Sequence, residues 1–510
     1  MIEVWQGVSW RVPLFGVSGE LAAEPSRPSG AGSFRRVGAS PVRCLLGLRQ
    51  SSLLDCRIRL GYVSTNAYRI NGYSAVSPAL FIGAIRDWSE FGRFRSPRYG
   101  SVMPLDTPNA RSVGHVHAQI PSAPAPLAPR LDRLWIFDRS YTFLNHGSFG
   151  ACPRAVREAY IAVQDRLESR PIEMIGRRIR ELLQPSRLRV AEFLGMQPDS
   201  FGFVTNATEG VNAVLRSMEF KPGDELLTTS HVYNAVRNTM KFRARQCGAV
   251  YVECALPLPI VDPTQVTQAV MGACTDRTRL VVIDQVTSPT ALVFPVADIA
   301  RECRARGIEI LVDAAHVPGM LDVNVEAIGA TYWTGNLHKW CCAPKGSAVL
   351  WVDPAFRNVI KPATVSHFLD EGFTAEFDWQ GTRDLAAWMT AGAAIDFMAQ
   401  FGWPAVRAHN HQMAAWVHRM LCQRWELEPV SPIDGSMLGS MCAVPLPAEI
   451  PSQFASPEEF QEALYRDHLI EIPIVEFGGR WHARASAQIY NHAEQYDRLA
   501  QAVIEYAAHA

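Results

Sequence analysis

The chain has 510 residues, of which 48% are hydrophobic and 19% are charged, so it is long enough to form two or more packed domains. Its formal net charge is -1 and its isoelectric point is near 6.9. These values exclude a strongly basic surface of the kind that holds nucleic acid or an anionic membrane. We therefore expect a small-molecule partner.

The cysteines argue against a metal or disulfide framework. Eleven are scattered along the chain without a C-x-x-C pair, and only Cys341 and Cys342 are adjacent. No run of about 18 apolar residues is present that could form a membrane-spanning helix. The sequence predicts a cytoplasmic protein without a structural metal or a membrane segment.

The first part of the chain differs from the rest in composition and hydrophobic periodicity. Residues 1–130 show little hydrophobic periodicity and are rich in Ser, Arg, Pro and Gly, which predicts a low-order extension. One interpretation is an organellar transit peptide, because residues 26–53 are rich in Arg and Ser and poor in acids. The favoured interpretation is a start assigned too early, with Met103 as the candidate true start.

The remainder has the pattern of an α/β enzyme. Amphipathic stretches such as "PRAVREAYIAVQDRLESR" predict helices, and "FGFVT", "DELLTTS", "RLVVIDQV", "IEILVDAA" and "SAVLWV" predict strands of a sheet buried on both faces. We expect a mostly parallel central sheet with helices on both sides. The predicted divisions are an N-terminal segment contributing to the active site (131–150), a large domain (151–385) and a small α+β domain (386–510).

Polar residues follow the strand in "FGFVTNATEGVN". Thr205, Asn206, Ala207, Thr208 and Glu209 stand at the start of the next helix. Free amides, a hydroxyl and the positive end of the helix dipole favour a phosphate there. An ordinary helix cap by Thr205 or Asn206 explains the same residues.

Two further polar positions lie after apolar strands. Asp313 ends "IEILVD", where a buried carboxylate needs a cation or several donors, although it could also cap a turn. Lys339 lies in "TGNLHKWCC", a compact setting that lowers the pKa of an amine and makes it nucleophilic. Lys345 lies at the turn "APKG", where a lysine is usually solvated. A phosphate site, an acid for a cationic ring nitrogen and an amine for a Schiff base are what pyridoxal 5'-phosphate requires.

These motifs resemble the class V aminotransferase family of fold-type I pyridoxal phosphate enzymes, and within it the isopenicillin N epimerase-like branch. The segments "NATEGVN", "DAAHVPG", "TGNLHKW", "APKG", "WQGTRD" and "RASAQIYN" carry the resemblance, in the family's order, from about Leu131 to the C-terminus. The fold implied is the fold-type I transferase fold with a small C-terminal domain. The resemblance also implies a homodimer with shared active sites.

The resemblance implies a role for each matching position. Catalytic roles fall to Lys339, Asp313, Tyr233 and His316. The residues implied to contact the cofactor are Ala207, Thr208, Tyr233, Ser288, Asp313, His316, Asn336, His338 and Lys339, together with Thr382, which would reach the phosphate of the neighbouring subunit. Those implied to contact the substrate are Arg484, as a fork for its carboxylate, with Asn145 and His146.

Two of these positions have simpler explanations. Tyr233 could be a half-buried tyrosine at a helix start, and Arg484 could form a surface or interdomain salt bridge. The histidines His409, His411 and His418 have helical spacing, which favours a solvated helix face over a metal site. For Cys341 and Cys342, packing is favoured over chemistry.

The reaction is less constrained than the cofactor. Epimerisation at the α-carbon of an amino acid is favoured, a C-S lyase acting on a modified cysteine comes second, and transamination third. Desulfurase chemistry by a mobile-loop cysteine is disfavoured, because no cysteine lies between Pro451 and Arg484. The non-enzymatic alternative is an inactive scaffold, against which the retention of Lys339, Asp313 and Arg484 argues.

Overall fold

The computed structural model describes residues 121–509. The expectations for residues 1–120, including a transit segment and a start at Met103, lie outside the described residues. The helices in the described part are α1 (His146–Phe149), α2 (Arg154–Ser169), α3 (Ile179–Leu194), α4 (Ala207–Ser217), α5 (Asn234–Cys247), α6 (Pro263–Ala273), α7 (Val296–Ala305), α8 (Val325–Ile328), α9 (Phe373–Asp378), α10 (Ala386–Ala399), α11 (Trp403–Arg424), α12 (Ile450–Gln453), α13 (Pro457–His468) and α14 (Ala493–Ala508).

The strands over the same range are β1 (Thr142–Phe143), β2 (Phe201–Val204), β3 (Glu225–Thr229), β4 (Val250–Cys254), β5 (Thr278–Asp284), β6 (Glu309–Asp313), β7 (Tyr332–Asn336), β8 (Ala348–Val352), β9 (Met441–Pro445), β10 (Ile470–Glu471), β11 (Ile474–Phe477) and β12 (Arg480–Ser486). The five strands predicted for the large domain are all confirmed as β2, β3, β5, β6 and β8. The sequence patterns did not identify β4 and β7.

Seven strands form the central sheet, in the order β2-β8-β7-β6-β5-β3-β4. The pairs β3/β4, β3/β5, β5/β6 and β6/β7 are parallel, whereas β8 runs antiparallel to both of its neighbours. This is the mostly parallel sheet of the fold-type I architecture, as the sequence predicts.

Helices cover both faces of this sheet, which explains its near-continuous apolar strands. Along β5, Leu280 and Val282 pack in the same cluster as residues of α4 and α5. Val281 and Ile283 point the other way and pack with residues of α6 and α7. Successive residues of a strand therefore face opposite sides of the sheet. The same alternation decides which side the polar residues at the strand ends face.

The carboxyl ends of the parallel strands lie along one edge of the sheet, which is where α/β sheets bind their ligands. The strands β2, β3, β5, β6 and β7 lead there into segments that begin near Thr205, Ser230, Gln285, Ala314 and Leu337. Every sequence-predicted cofactor residue before Thr382 lies in one of these segments or at a strand end. The fold therefore gathers residues from more than 130 positions of sequence at one edge.

The C-terminal part of the chain contains a three-stranded antiparallel sheet, β11-β12-β9. A short parallel pair, β1 with β10, joins the N-terminal segment to this part of the chain. The strand predicted at "RASAQIY" is present as β12, but it starts at Arg480 and ends at Ser486, so the residues after Ser486 lie outside it. Arg484 is inside the strand.

Two expectations are corrected by the packing. The extension was expected to show little order up to residue 130, but Ala128 is buried and Trp416 on α11 donates a hydrogen bond to the Pro121 carbonyl at 3.0 Å. His409 and His418 of α11 are not on a solvated face, because both are buried, whereas His411 is half-buried. Helix α11 packs against β9, β12, α10 and α14 and so has little free surface.

The described residues lack two features, a metal-ligand cluster and a membrane-spanning helix. Between residues 121 and 509, no group of three or more His, Cys, Asp or Glu side chains is arranged to hold a metal ion. The helices of that same part of the chain include none that is both long and apolar enough to cross a bilayer. The packing expected for Cys341 and Cys342 is confirmed, since both are fully buried and burial raises the pKa of both thiols.

Candidate active site

Lys339 lies just beyond the end of β7, at the carboxyl edge of the sheet. Its Nζ is 3.1 Å from Nε2 of His316, which follows β6. Burial lowers the pKa of Lys339 to about 7, and the positive charge of Arg484 acts in the same direction. Near neutral pH a large share of this amine is therefore unprotonated and nucleophilic.

The hydrogen bonds of His316 agree with a neutral amine. Its Nδ1 accepts from the indole N-H of Trp340 at 3.5 Å. Burial, reinforced by Lys339, lowers the pKa of His316 and keeps the ring neutral. A neutral ring that accepts at Nδ1 carries its proton on Nε2, so it can donate to the lone pair of Lys339.

We expect the rate of covalent attachment of the cofactor aldehyde to the apoprotein to depend on pH according to the pKa of Lys339. The rate should rise with pH and level off just above pH 7, because only the unprotonated amine attacks. A free lysine derivative, with a pKa of about 10.4, should still be accelerating at pH 9. Stopped-flow absorbance compares the two amines, and a protein plateau above pH 9 would contradict the assignment.

Asp313 is the last residue of β6 and is 3% exposed. Its Oδ1 accepts the amide of Ala315 at 2.9 Å. Burial raises the pKa of Asp313, whereas the Ala315 amide and Lys339 act against that rise. Among residues 121–509 the carboxyl group therefore lacks a full charge partner, and a cationic ring nitrogen would supply one.

The start of α4 has the features of a phosphate site. Asn206 caps the helix by accepting the amide of Glu209 at 2.9 Å, so the simple capping role is real. Oδ1 of Asn336, at the end of β7, accepts the amide of Ala207 at 2.8 Å. The half-buried Thr208 lies between these two capped positions, where the helix dipole favours an anion.

His338 lies beside Lys339 and is largely buried. Its Nδ1 is 3.1 Å from the carbonyl oxygen of Ser347, so this nitrogen carries the proton. Burial lowers the pKa of His338 to about 4. The ring is therefore neutral at physiological pH and can contact a ligand through Nε2 without adding a charge.

Arg484 reaches the same edge from β12, in the C-terminal part of the chain. Its Nη1 donates to the carbonyl oxygen of Ser288 at 2.7 Å and to Oγ of Ser288 at 3.1 Å, and its Nη2 donates to Oγ of Ser148 at 2.9 Å. Its buried Nε has no partner among the described residues. Burial lowers the pKa of Arg484 to about 10, so the guanidinium stays charged but incompletely paired.

We expect Arg484→Lys to weaken recognition of a carboxylate while sparing cofactor binding. A lysine offers one point charge and cannot hold two Ser hydroxyls and a carboxylate in one plane. KM for an amino acid should rise by roughly tenfold to a hundredfold, the effect of losing a charged hydrogen bond worth about 1.5–3 kcal/mol. Arg480→Lys, at the exposed start of the same strand, is the matched control.

The binding of amino acids, and of the corresponding decarboxylated amines, to the cofactor-loaded enzyme is measured by stopped-flow absorbance. The wild type should discriminate strongly between acid and amine, and Arg484→Lys should lose most of that discrimination. Equal discrimination by both proteins would remove Arg484 from carboxylate recognition.

Tyr233 and Thr382 have few contacts within the chain. Tyr233 directly precedes α5 and is 44% exposed, and its backbone amide donates to the carboxylate of Asp284. Thr382 is exposed in the turn between α9 and α10. Its neighbour Arg383 lies 3.6 Å from Glu209 in the first turn of α4. The predicted role of Thr382 across a subunit boundary stays a prediction.

Asn145 and His146 are both buried, and the His146 ring contacts the backbone of Lys339. His146 is fully buried, with Nδ1 2.7 Å from the Tyr490 hydroxyl and Nε2 3.0 Å from the Lys339 carbonyl oxygen. Nδ2 of Asn145 donates to Glu471 at 2.9 Å. The structure places the His146 ring against the backbone of Lys339, and the expectation that Asn145 and His146 contact substrate stays a prediction.

Gly150 explains why the N-terminal segment can approach Lys339 so closely. It adopts a φ of +67°, and an added Cβ would run into the backbone of His338 and Lys339. Lys345, the other lysine of this region, is exposed and donates to the Gly150 carbonyl at 2.9 Å. Lys345 thus braces the segment, whereas Lys339 points to His316.

Two residues of the site were missed by sequence reasoning. Ser148 lies in "LNHGSFG" and binds Arg484, but no local pattern distinguishes it from a turn serine. Asp284 ends β5 and pairs in register with Asp313 of β6. Here a signal existed, because "RLVVID" ends an apolar strand in a carboxylate as "IEILVD" does.

The arrangement fits pyridoxal 5'-phosphate on observations of the chain itself. The amine of Lys339 has a lowered pKa, and the buried carboxyl of Asp313 lacks a full charge partner among the residues that the structure describes. Asp284 Oδ2 and Arg484 Nε are buried without partners in the described part of the chain. Thr208 lies at the positive end of the α4 helix dipole, which favours an anion. Together these groups match an aldehyde, a cationic ring nitrogen, a substrate carboxylate and a phosphate.

Comparison with known proteins agrees with this assignment. The family model for class-V aminotransferases matches residues 154–499. An isopenicillin N epimerase from Amycolatopsis lactamdurans is 31% identical over 386 residues, which cover 72% of this chain and 96% of that protein. An L-cysteine desulfhydrase from Arabidopsis thaliana is 28% identical over 403 residues, which cover 71% and 87%.

The fold has counterparts among solved structures. A mutant of C-DES with glycine covalently linked to its pyridoxal phosphate cofactor superposes with a TM-score of 0.61 at 20% identity, covering 72% of this chain and 96% of that one. The chain therefore belongs to the class V aminotransferase family, and its cofactor is pyridoxal 5'-phosphate.

Proposed function

We propose that the protein catalyses epimerisation at the α-carbon of an amino acid, with Lys339 as the base that removes the α-proton. The observation that carries the proposal is the Lys339 amine, which lies 3.1 Å from a neutral His316 and has a pKa of about 7. A base with a pKa near the working pH is the most effective proton acceptor. The bound cofactor supplies the electron-withdrawing ring that makes the α-proton acidic.

Inversion needs a second group that returns a proton on the opposite face. Tyr233 follows β3 and Lys339 follows β7, and the strands β5 and β6, which end in Asp284 and Asp313, lie between them in the sheet. We take these two side chains to approach the ring position from its two sides. The electrostatic interaction with Tyr233 raises the pKa of Arg484. This supports a position of Tyr233 near the substrate carboxylate that Arg484 would bind.

The test is α-proton exchange with the loaded enzyme in deuterated water, using single enantiomers of a panel of amino acids. Epimerisation predicts deuterium at the α-carbon together with loss of optical activity. Elimination predicts release of an oxo acid and ammonia instead, and transamination predicts amino transfer that depends on an added oxo acid. Exchange without inversion, for every amino acid tested, would overturn the epimerase proposal.

Tyr233→Phe separates inversion from proton removal. The phenyl ring preserves stacking area but cannot donate a proton, so we expect exchange with retention to persist and inversion to fall by roughly 10²-fold or more. Tyr251→Phe, a half-buried tyrosine on β4, is the matched control. Parallel losses of exchange and inversion in Tyr233→Phe would assign the hydroxyl another role.

A C-S lyase is the second candidate, supported by the similarity to the Arabidopsis desulfhydrase. The same base and the same carboxylate site would serve elimination from the β-carbon, since both reactions begin with α-proton removal. No cysteine lies between Pro451 and Arg484, so a desulfurase mechanism that uses a cysteine in this segment is not proposed. Release of sulfide from cysteine, or of cysteine persulfide from cystine, distinguishes the lyase from the epimerase.

We infer that the enzyme works as a homodimer that completes each site across the subunit boundary. The exposed side chains of Phe149 and Ile172 support this, at 71% and 70% exposure, because large apolar groups favour burial against a partner. Thr382 is exposed, and the contacts of the described residues reveal no role for its side chain within its own subunit. Sedimentation velocity of the loaded protein tests the dimer, and a monomer at micromolar concentration would contradict it.

A further inference from the structure

Asp284 is a buried acid at the active-site edge that the proposed reaction does not use. It is the last residue of β5, and its Cα pairs with that of Asp313 at the end of the parallel strand β6. Neighbouring strands lie about 4.8 Å apart. Both aspartates are 3% exposed, so two carboxyl groups lie side by side with little water.

The two side chains point to the same face of the sheet. Val282 and Leu311 are in-register partners and pack in one core cluster with α4 and α5. Side chains two residues apart on a strand share a face, so Asp284 and Asp313 continue that pair towards the strand ends. This is also the face of the sheet on which Asn336 meets the start of α4.

The hydrogen bonds leave one oxygen of the pair unsatisfied. Asp284 accepts the backbone amide of Tyr233, and Oδ1 of Asp313 accepts the amide of Ala315. Oδ2 of Asp284 is buried and has no partner among the described residues. A proton on that oxygen removes the cost of burying a bare carboxylate oxygen and gives it a donor role towards its neighbour.

The surrounding charges do not favour two ionised acids. Arg237 on α5 and Lys339 after β7 act on Asp284, and beyond them lie the neutral His316 and the charged Arg484. Burial, followed by the charge of Asp313, raises the pKa of Asp284 well above its ordinary value. Two adjacent buried carboxyl groups titrate as a pair and retain one proton over a wide pH range.

We propose that Asp284 and Asp313 form one proton-sharing carboxyl pair, in which Asp284 is a positioning residue that sets the charge of Asp313 opposite the ring nitrogen of the cofactor. At low and neutral pH the proton stays on Asp284 and is donated to an oxygen of Asp313. A single negative charge then faces the ring. When the pair loses this proton at higher pH, two negative charges hold the cationic ring more tightly.

The inference rests on the cofactor and not on the reaction, so it stands whether the enzyme is an epimerase or a lyase. The experiment is equilibrium binding of pyridoxal 5'-phosphate to full-length wild-type and Asp284→Asn apoproteins, followed by fluorescence between pH 6 and 10. Asparagine keeps the size, the acceptor for the Tyr233 amide and a donor towards Asp313, and thus imitates protonated Asp284 at every pH. The ratio of the two Kd values cancels the titration of the free cofactor, which both proteins share.

The expected ratio, variant over wild type, is near one at low pH and grows to about tenfold at high pH, the effect of one pKa unit of linkage. Asp298→Asn, at the start of α7 on the surface, should stay near one throughout. A ratio for Asp284→Asn that is constant over the whole pH range overturns the proposal, because a merely structural role would shift affinity or thermal stability without this transition.

Two further measurements guard against misfolding of the asparagine variant. Asp284→Glu restores a carboxyl group and should recover the pH transition, even if the affinity is lower. Infrared spectra of the wild-type apoprotein at pH 8 should contain the C=O absorption of a protonated carboxyl group, since ordinary carboxyls are ionised there. Absence of this absorption in the wild type rejects the shared proton independently of any variant.

Discussion

Lys339→Ala is expected to abolish covalent attachment of the cofactor and to reduce α-proton exchange by about 10⁴-fold, the upper end of what a positioned acid-base group contributes. The reason is that the Lys339 amine, whose pKa is lowered by burial to about 7, is proposed both to hold the cofactor and to receive the proton. Borohydride reduction followed by peptide mapping locates the attachment, and exchange in deuterated water gives the rate.

Lys345→Ala is the matched control, because it removes the other lysine of the same segment. The Lys345 amine donates to the Gly150 carbonyl at 2.9 Å and is not directed at His316. We expect this variant to retain the cofactor on Lys339, with at most some loosening of the N-terminal segment. A reduced cofactor adduct on Lys345 in the wild type would refute the assignment.

Asp313→Asn is expected to leave the cofactor attached but to slow α-proton exchange by roughly a hundredfold to a thousandfold, the size of effect seen when one preorganised electrostatic contact is removed. Asparagine is the same size as aspartate and can still accept the Ala315 amide. It cannot keep a positive charge on the ring nitrogen, so the ring withdraws electrons less strongly.

The absorption spectrum of the loaded variant shows whether attachment survives, and the deuterium exchange rate shows the loss. Asp298→Asn on the surface of α7 serves as the control for a change of aspartate without a buried contact. Near-normal exchange in Asp313→Asn would show that Asp313 does not stabilise the positive charge on the ring nitrogen. The proposed effect of the Asp284–Asp313 pair on the cofactor would then be refuted as well.

The sequence alone determined the fold class and the main chemical groups. Runs of consecutive apolar residues such as "RLVVID" require burial on both faces, and their alternation with amphipathic helices leads to a mostly parallel sheet. Asp313 and Lys339 were identifiable because an acid or an amine next to a buried strand is costly without a function. Hydrophobic periodicity and the cost of burying a charge depend on residues that are close in sequence. Both can therefore be recognised from the sequence alone.

The tertiary structure decided the features that depend on contacts between distant segments. His146 turns out to bind the backbone of Lys339, 193 positions away, and Ser148 binds Arg484, 336 positions away. The burial of His409 and His418 depends on how many neighbours surround α11, which its own sequence does not specify. The pairing of Asp284 with Asp313 follows from strand order and register, and these are set by packing of the whole sheet, so neither aspartate alone reveals it.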